Sequence, residues 1–339
     1  MTSPRIAAIM AVDHPGGAET TLLRLLNRLS ARGWSVTLTT PGAGPLRDTA
    51  RDAGYEWRPL PLGGLGRGSG RRALASWPRA RRLARDHDVV YLNSGVCGRV
   101  LPALPPRARR VLHVHDMVTR VPGFWRRADL VLADSQAVAR RLHGLHVEVV
   151  FAPVEPDPPQ ATVPWQAGDG PVVGFVGRIE PRKGPLDLVR AAGAIRRGAP
   201  GAQLVVVGDD PFGADPSYTA AVVGSPEVEH HPWTDNAPGL MRHLDVLVLP
   251  SYEEPFGTVL AEAMAVGTPV VATRVDGLPE VVRDGVTGRL VEPGDPDGLA
   301  AGVLDVLGRR EQMGRAARVH AQRFRADDYA LRVERLLTG

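Results

Sequence analysis

Two residue types are nearly missing from this chain: its 339 residues hold one cysteine, Cys97, and one lysine, Lys183, beside forty arginines. A single thiol excludes any internal disulfide, which fits a reducing compartment and predicts a cytoplasmic protein. No apolar run approaches the roughly 18 residues that a membrane span needs. Aromatic residues make up only 5%, and they do not interleave with the basic residues as in nucleic-acid readers, so no nucleic-acid partner is expected. No repeat recurs at a solenoid period, and the 31 prolines and 38 glycines are scattered as turns. An Asp-x-Asp pair placed to hold a metal is also missing. Asp209 and Asp210 are adjacent, and Asp295-Pro296-Asp297 reads as a helix cap. Neither a metal nor a cofactor is therefore predicted.

What is present suits a soluble globular chain, with 43% hydrophobic and 23% charged residues. The length predicts two domains of roughly 160 residues each. The net charge of +4 conceals an asymmetry: residues 1–150 carry +12 and residues 151–339 carry −8. The first half therefore presents a positive field, suited to an acidic acceptor or to peripheral contact with an anionic membrane. Arg67, Arg71, Arg72, Arg79, Arg81, Arg82 and Arg85 are the densest part of it.

Short apolar runs alternate with helical patterns. Strands are predicted at 6–12, 35–40, 57–60, 89–92, 111–114, 130–133 and 147–151, and again at 172–176, 203–207, 228–231, 246–249, 269–273 and 288–291. The run at 6–12 has one arginine before it, an Asp-His pair after it and no small-residue cleavage pattern, so it reads as a first strand rather than a signal peptide. Between the strands lie helix signatures, such as the leucine-rich stretch closing on Gly33 and the stretch from Ser135, an N-cap, to Gly144. Such a series predicts an α/β fold with two Rossmann-like parallel-sheet domains. The expected boundaries are 1–152 for the first domain, 153–170 for a proline-rich linker and 171–320 for the second domain. A final helix within 321–339 is expected to pack back toward the first. Ligands of open α/β sheets bind beyond the carboxyl ends of the strands, so a cleft is expected there.

Two stretches carry the chemistry. In GRIEPRKG (177–184) a strand ends on Gly177, and Arg178 and Lys183 share the turn before a helix. Two cations beside a helix N-terminus suit a multiply charged anion. In EPFGTVLAE (254–262) a loop bearing Glu254 runs into a helix in which Thr258 and Glu262 share a face. The helix start offers unpaired N–H groups, and Gly257 permits close approach. Carboxylates bind hydroxyls well and phosphates poorly. A diphosphate flanked by two glutamate-held hydroxyl groups describes a nucleotide-diphosphate sugar.

These residues, with EAMAVGTPVVAT and GLPEVV (262–273 and 277–282), resemble the family 4 retaining glycosyltransferases of the GT-B fold. The likeness is strong over the second domain. It is weaker in the first, at HPGGAE (14–19), HVHD (113–116) and ADSQAVARRL (133–142). The resemblance implies that Arg178 and Lys183 hold the diphosphate, that Glu254 contacts the donor hexose, and that Glu262 binds the ribose. It implies donor contacts from Gly177 and the backbone of Phe256, Gly257, Thr258 and Val259. Gly16 and Gly17 would form a loop closing on the donor, and His115, ahead of His113, would line the sugar site. His231 and Trp233, within HHPWTD (230–235), fall where the family holds the nucleobase. Two stretches depart from the family: Phe151 to Glu155 replaces its usual turn, and residues 41–85 are short and arginine-rich.

The implied activity is metal-independent transfer of a hexose from a UDP-sugar, favoured over a GDP-sugar, to a small-molecule, lipid-linked or cell-envelope hydroxyl. Front-face transfer is the preferred route, with the departing phosphate taking the acceptor proton; a general base at Asp13 or His115 is the second. Two other functions fit a similar architecture: a sugar-nucleotide 2-epimerase and a non-catalytic sugar-nucleotide-binding subunit.

Overall fold

The computed structural model describes residues 3–63, 69–166, 168–211, 213, 215–234 and 236–339; Arg67 and Asp235 lie outside them. The chain divides into two compact units, residues 1–153 with 326–339, and residues 154–325.

In the first unit the strands are β1 (Arg5–Ile9), β2 (Ser35–Thr40), β3 (Glu56–Pro59), β4 (Val89–Asn93), β5 (Arg109–Val114), β6 (Leu130–Ala133) and β7 (Val147–Val149). They form a parallel sheet ordered β3-β2-β1-β4-β5-β6-β7. The apolar run read as a strand over 6–12 pairs only as far as Ile9, although the Met10 amide still donates to the Thr39 carbonyl. Alternation along β1 sends Ile6, Ala8 and Met10 to one face and Ala7, Ile9 and Ala11 to the other. Both faces are covered, as a parallel sheet requires. On the first face lies the helix Gly17–Ala31, whose buried Leu22, Leu25, Leu26 and Leu29 recur at helical spacing. Gly33, just beyond this helix, has φ +91, which favours glycine.

The helix Ala326–Thr338 belongs to this same face. Tyr329, Ala330, Val333 and Leu337 enter the cluster around Leu22 and Leu29. Arg28 pairs with Asp327, and Glu334 receives both Arg32 and the Trp34 indole N–H.

The second unit carries β8 (Val172–Val176), β9 (Gln203–Val207), β10 (Glu229–His231), β11 (Val246–Leu249), β12 (Val270–Thr273) and β13 (Gly288–Val291). Its parallel sheet is ordered β10-β9-β8-β11-β12-β13. Asp295 caps the helix Pro296–Gly308 through its side chain, which accepts from the Gly298 amide.

Of the proline-rich stretch read as a linker over 153–170, the described residues from Val154 on belong to the second unit. Val154 bridges to Arg325, and the carbonyls of Pro158, Pro159 and Ala161 accept from Arg242, Asn236 and His243. Prolines cannot donate to a ladder, but their carbonyls still accept, so the segment is tied down through acceptors.

In each unit the strand order reverses beside the first strand, between β1 and β4 and between β8 and β11. The loops leaving the carboxyl ends of those strands diverge there, which opens a crevice in each unit.

Candidate functional site

In the second unit the crevice is lined by the loops after β8 and β11. The first loop turns through a short 3-10 segment, Pro181–Lys183, into the helix Pro185–Gly198. Gly184 makes that entry at φ +69, and a Cβ there would stand 2.1 Å from the Pro250 carbonyl oxygen, so only glycine lets the loops meet. The loops are joined further by the Tyr252 amide donating to the Arg182 carbonyl at 2.8 Å and by Arg182 Nη1 donating to the Glu253 carbonyl at 3.1 Å. The Tyr252 hydroxyl donates to Asp187 Oδ2 at 2.6 Å, and that bond, aided by burial, pushes the phenol up to about 12.

Lys183 Nζ and Glu254 Oε2 form an ion pair at this junction, with the side chains only 15% and 7% exposed. The loop after β12 supports it: the Glu254 amide donates to Asp276 Oδ2 at 3.1 Å, and the Gly277 amide donates to the Glu254 carbonyl at 3.0 Å. Asp276 holds the unusual φ of +40. Arg178 lies on the same β8 loop, 3.3 Å from Glu180 Oε1, which also pairs with Arg182.

The helix Thr258–Ala265 starts from Gly257 at φ +87. Phe256 is buried and packs edge-to-face on Phe324 at 5.5 Å, which anchors the loop. Thr258, Val259 and Glu262 are half-buried, with Thr258 and Glu262 one turn apart. Thus Lys183 and Glu254 meet directly, while Gly177 and Arg178 sit on the adjoining loop. His231 ends β10 and lies 3.0 Å from Glu229 Oε1. Trp233 is exposed, its amide donating to Asp209 Oδ2 at 2.9 Å.

The first unit has its own cluster. Gly16 caps the helix Gly17–Ala31, and Gly17 begins it. Asn93, His113 and His115, and Asp134 stand at the carboxyl ends of β4, β5 and β6, with Asn93 paired to His113 and Val114 to Ala133. All four are buried. His115 Nδ1 lies 2.6 Å from Asp134 Oδ2, and its Nε2 lies 2.9 Å from Asn93 Oδ1. His113 Nδ1 lies 2.7 Å from the Tyr91 hydroxyl. Its Nε2 is 2.8 Å from Asp134 Oδ1, close but poorly aligned.

Burial drives the His113 pKa down to about 4, aided by the charge of His115. Burial opposes charge on His115 too, but the Asp134 carboxylate outweighs it and moves the ring upward. Asp134 would be raised by burial, yet the two histidines hold it well below the usual carboxylate range. Glu19, on the first turn of the helix, is pushed up by burial.

Among the described residues, His113, His115 and Asp134 are the grouping whose nitrogen and oxygen atoms, within 4.8 Å of one another, have the composition of a metal site. Of the two N–O separations, the 2.6 Å between His115 Nδ1 and Asp134 Oδ2 is that of a hydrogen bond. Two tetrahedral ligands at about 2.1 Å from one ion stand roughly 3.4 Å apart. The His115–Asp134 contact is shorter than that and fits a shared proton.

Asp134, Asn93 and Tyr91 escape a reading based on spacing, because each lies on a different strand from the histidines. The one available signal is an aspartate directly after a strand that can neighbour the one ending in His-Val-His.

Comparison with known proteins places both halves in sequence order. Residues 15–157 match the model of Glycosyltransferase Family 4, and residues 170–309 match that of Glycosyl transferases group 1. A D-inositol 3-phosphate glycosyltransferase of Salinispora tropica is 42% identical over 173 residues, 47% of this chain and 36% of the relative. That of Mycolicibacterium vanbaalenii is 35% identical over 246 residues, 62% of this chain and 52% of the relative. The chain thus spans about a third to a half of these relatives.

Among solved structures, Anabaena HepE in complex with UDP and glucose has a TM-score of 0.83 at 22% identity, covering 98% of this chain and 99% of its own. Sucrose-phosphate synthase from Thermosynechococcus elongatus has a TM-score of 0.80 at 23% identity, with 98% of each chain covered. At such identities the likeness establishes the fold, which is GT-B.

Proposed function

The chain belongs to family 4 of the GT-B glycosyltransferases, and from that premise we propose that it moves a hexose from a nucleotide-diphosphate donor to an acceptor hydroxyl, with retention at the anomeric carbon. The observation that carries this reading is the Lys183–Glu254 pair at the sheet crevice of the second unit, beside the start of the helix Thr258–Ala265. In the pair, a phosphate-binding group and a hydroxyl-binding group neutralise each other. An incoming diphosphate takes over Lys183, with Arg178 on the same loop, and frees Glu254 for the sugar hydroxyls. Glu262 then serves the ribose.

In the transfer the bond from the anomeric carbon to the diphosphate oxygen breaks as the acceptor oxygen bonds on the same face. The acceptor proton passes to the leaving phosphate oxygen. Fixed cations and the helix-start amides stabilise the departing charge, which is the part a metal ion plays elsewhere.

A UDP-sugar is the preferred donor, a choice supported by the structural likeness to HepE, which was solved with UDP-glucose and with UDP. For the acceptor, the +12 charge of residues 1–150 and relatives acting on D-inositol 3-phosphate favour a small anionic polyol. The exposed Arg71, Arg72, Arg79, Arg81, Arg82 and Arg85, with the exposed Leu74 in the same stretch, suit peripheral contact with anionic lipid. Salt-sensitive sedimentation with anionic but not neutral vesicles tests that part. Among the described residues no helix is long and apolar enough to cross a membrane.

The deciding experiment is thermal unfolding with UDP-glucose, UDP-N-acetylglucosamine and GDP-mannose, followed by product analysis with the donor that protects. A donor at a hundredfold its Kd stabilises by about 2.7 kcal/mol. Protection by none of the three would remove the donor assignment. Interconversion of donors without acceptor would instead indicate an epimerase.

A further inference from the structure

The first-unit cluster determines where its protons sit. Asn93 Nδ2 donates to the Ala18 carbonyl oxygen at 3.1 Å, which fixes the amide so that Oδ1 faces His115. A flipped amide would set its oxygen against that carbonyl. His115 Nε2 therefore meets an oxygen that only accepts, and its Nδ1 meets a carboxylate oxygen, which when ionised also only accepts. Each bond needs a proton from the ring, and only the imidazolium carries two.

The Tyr91 hydroxyl beside His113 Nδ1 can donate or accept, so this ring is read from the carboxylate it faces. Burial keeps His113 neutral, and its one proton belongs on Nε2, 2.8 Å from Asp134 Oδ1, which leaves Nδ1 to accept from Tyr91. Asp134 thus faces one N–H from each ring, and its negative charge is matched by His115 alone. The other titratable groups acting on His115 are Asp116 and Glu19, both carboxyls, which also favour its charged form.

We infer that Asp134 and Asn93 are positioning residues that hold His115 as a buried imidazolium with both N–H groups donated, so that the ring is a fixed cation and has no lone pair with which to accept a proton. This overturns the expectation of His115 as a general base. Under the glycosyltransferase reading, on which this consequence rests, the acceptor proton has to leave by another path, and transfer to the departing phosphate oxygen needs none of these groups. The charge state itself stands apart from that reading.

The test is a long-range proton–nitrogen correlation spectrum of the full chain with nitrogen-15 histidine, recorded at pH 8 without ligand. Signals are assigned by their loss in His115→Gln and His113→Gln. A free imidazole is only about 3% protonated at that pH. The expected spectrum shows both His115 nitrogens protonated and His113 with a single proton, on Nε2. In Asp134→Asn, His115 should show one bare nitrogen at the same pH. A bare or metal-bound His115 nitrogen in the unaltered chain overturns the inference, so the test holds even if the Asp134 variant fails to fold. Because no donor is present, failure of sugar transfer would not produce that result.

Discussion

Lys183 and Glu254, 71 residues apart in the chain, meet in an ion pair between the loops that follow two adjacent strands of one sheet. Both side chains are mostly shielded from water. Breaking a shielded pair from one side leaves an uncompensated charge, which costs more than the pair itself contributes. Lys183→Ala should therefore lower stability by about 3 kcal/mol, and Lys183→Ala with Glu254→Ala should recover much of it. Chemical denaturation of the two variants measures both. Equal stability of the single and double variants would contradict the coupling.

Activity separates charge from shape at the same position. Lys183→Arg keeps the charge but replaces a compact ammonium with a planar fork. Turnover should fall steeply, approaching the 100- to 1000-fold loss, on the order of one stabilising donor, expected for Lys183→Ala. Steady-state rates with the protecting donor decide it; an unchanged kcat in Lys183→Arg would mean that the lysine's geometry is immaterial.

Gly184 is predicted to be intolerant of any side chain. Its φ of +69 and the 2.1 Å approach of an added Cβ to the Pro250 carbonyl are both penalised in Gly184→Ala. A loss of about 2–4 kcal/mol is expected, together with weaker donor protection, since Lys183 is its neighbour. By contrast, Gly17, where an added Cβ meets nothing within 4 Å, should accept alanine with little loss of stability.

Acid should weaken the first unit before it protonates ordinary carboxylates. His113 is depressed to about 4 by burial and by His115, and burial also lowers His87. Unfolding lets both rings bind protons near pH 6.5, so the folded state loses stability as pH falls from there toward 4. For His113 the loss is on the order of 2–3 kcal/mol. His115 contributes with the opposite sign: its stabilisation is complete below its ordinary value and fades only as pH rises through the raised one. A series of thermal midpoints from pH 8 to 4 should slope downward in that window, and His113→Gln should flatten it.

A chelator should leave transfer unchanged, because the proposed clamp uses Arg178, Lys183 and helix-start amides. Rates with and without EDTA, after exhaustive dialysis, check this. Recovery that depends on an added divalent ion would require another source of phosphate stabilisation.

Much of this was legible in the residues alone. Period-2 and period-3.6 patterns are short-range properties, so strands such as Val172–Val176 and Gly288–Val291 and the helix Pro185–Gly198 could be read from local spacing. So could the Ser135 cap, which accepts from the Val138 amide. The motifs around Lys183 and Glu254 were readable for the same reason, since each is contiguous and carries its own turn. The proline-rich stretch after Ala152 misled, because composition shows where a ladder fails and not where carbonyls find donors.

Only the tertiary structure decided which groups face one another. Strand order brings the loops after β8 and β11 together, and thereby pairs Lys183 with Glu254. Adjacent strand ends bring Asn93, His113, His115 and Asp134 into one buried cluster. The charge of His115 depends on that placement, because a ring nitrogen keeps or loses its proton according to the atom opposite it. A sequence specifies the ring; the fold supplies that atom.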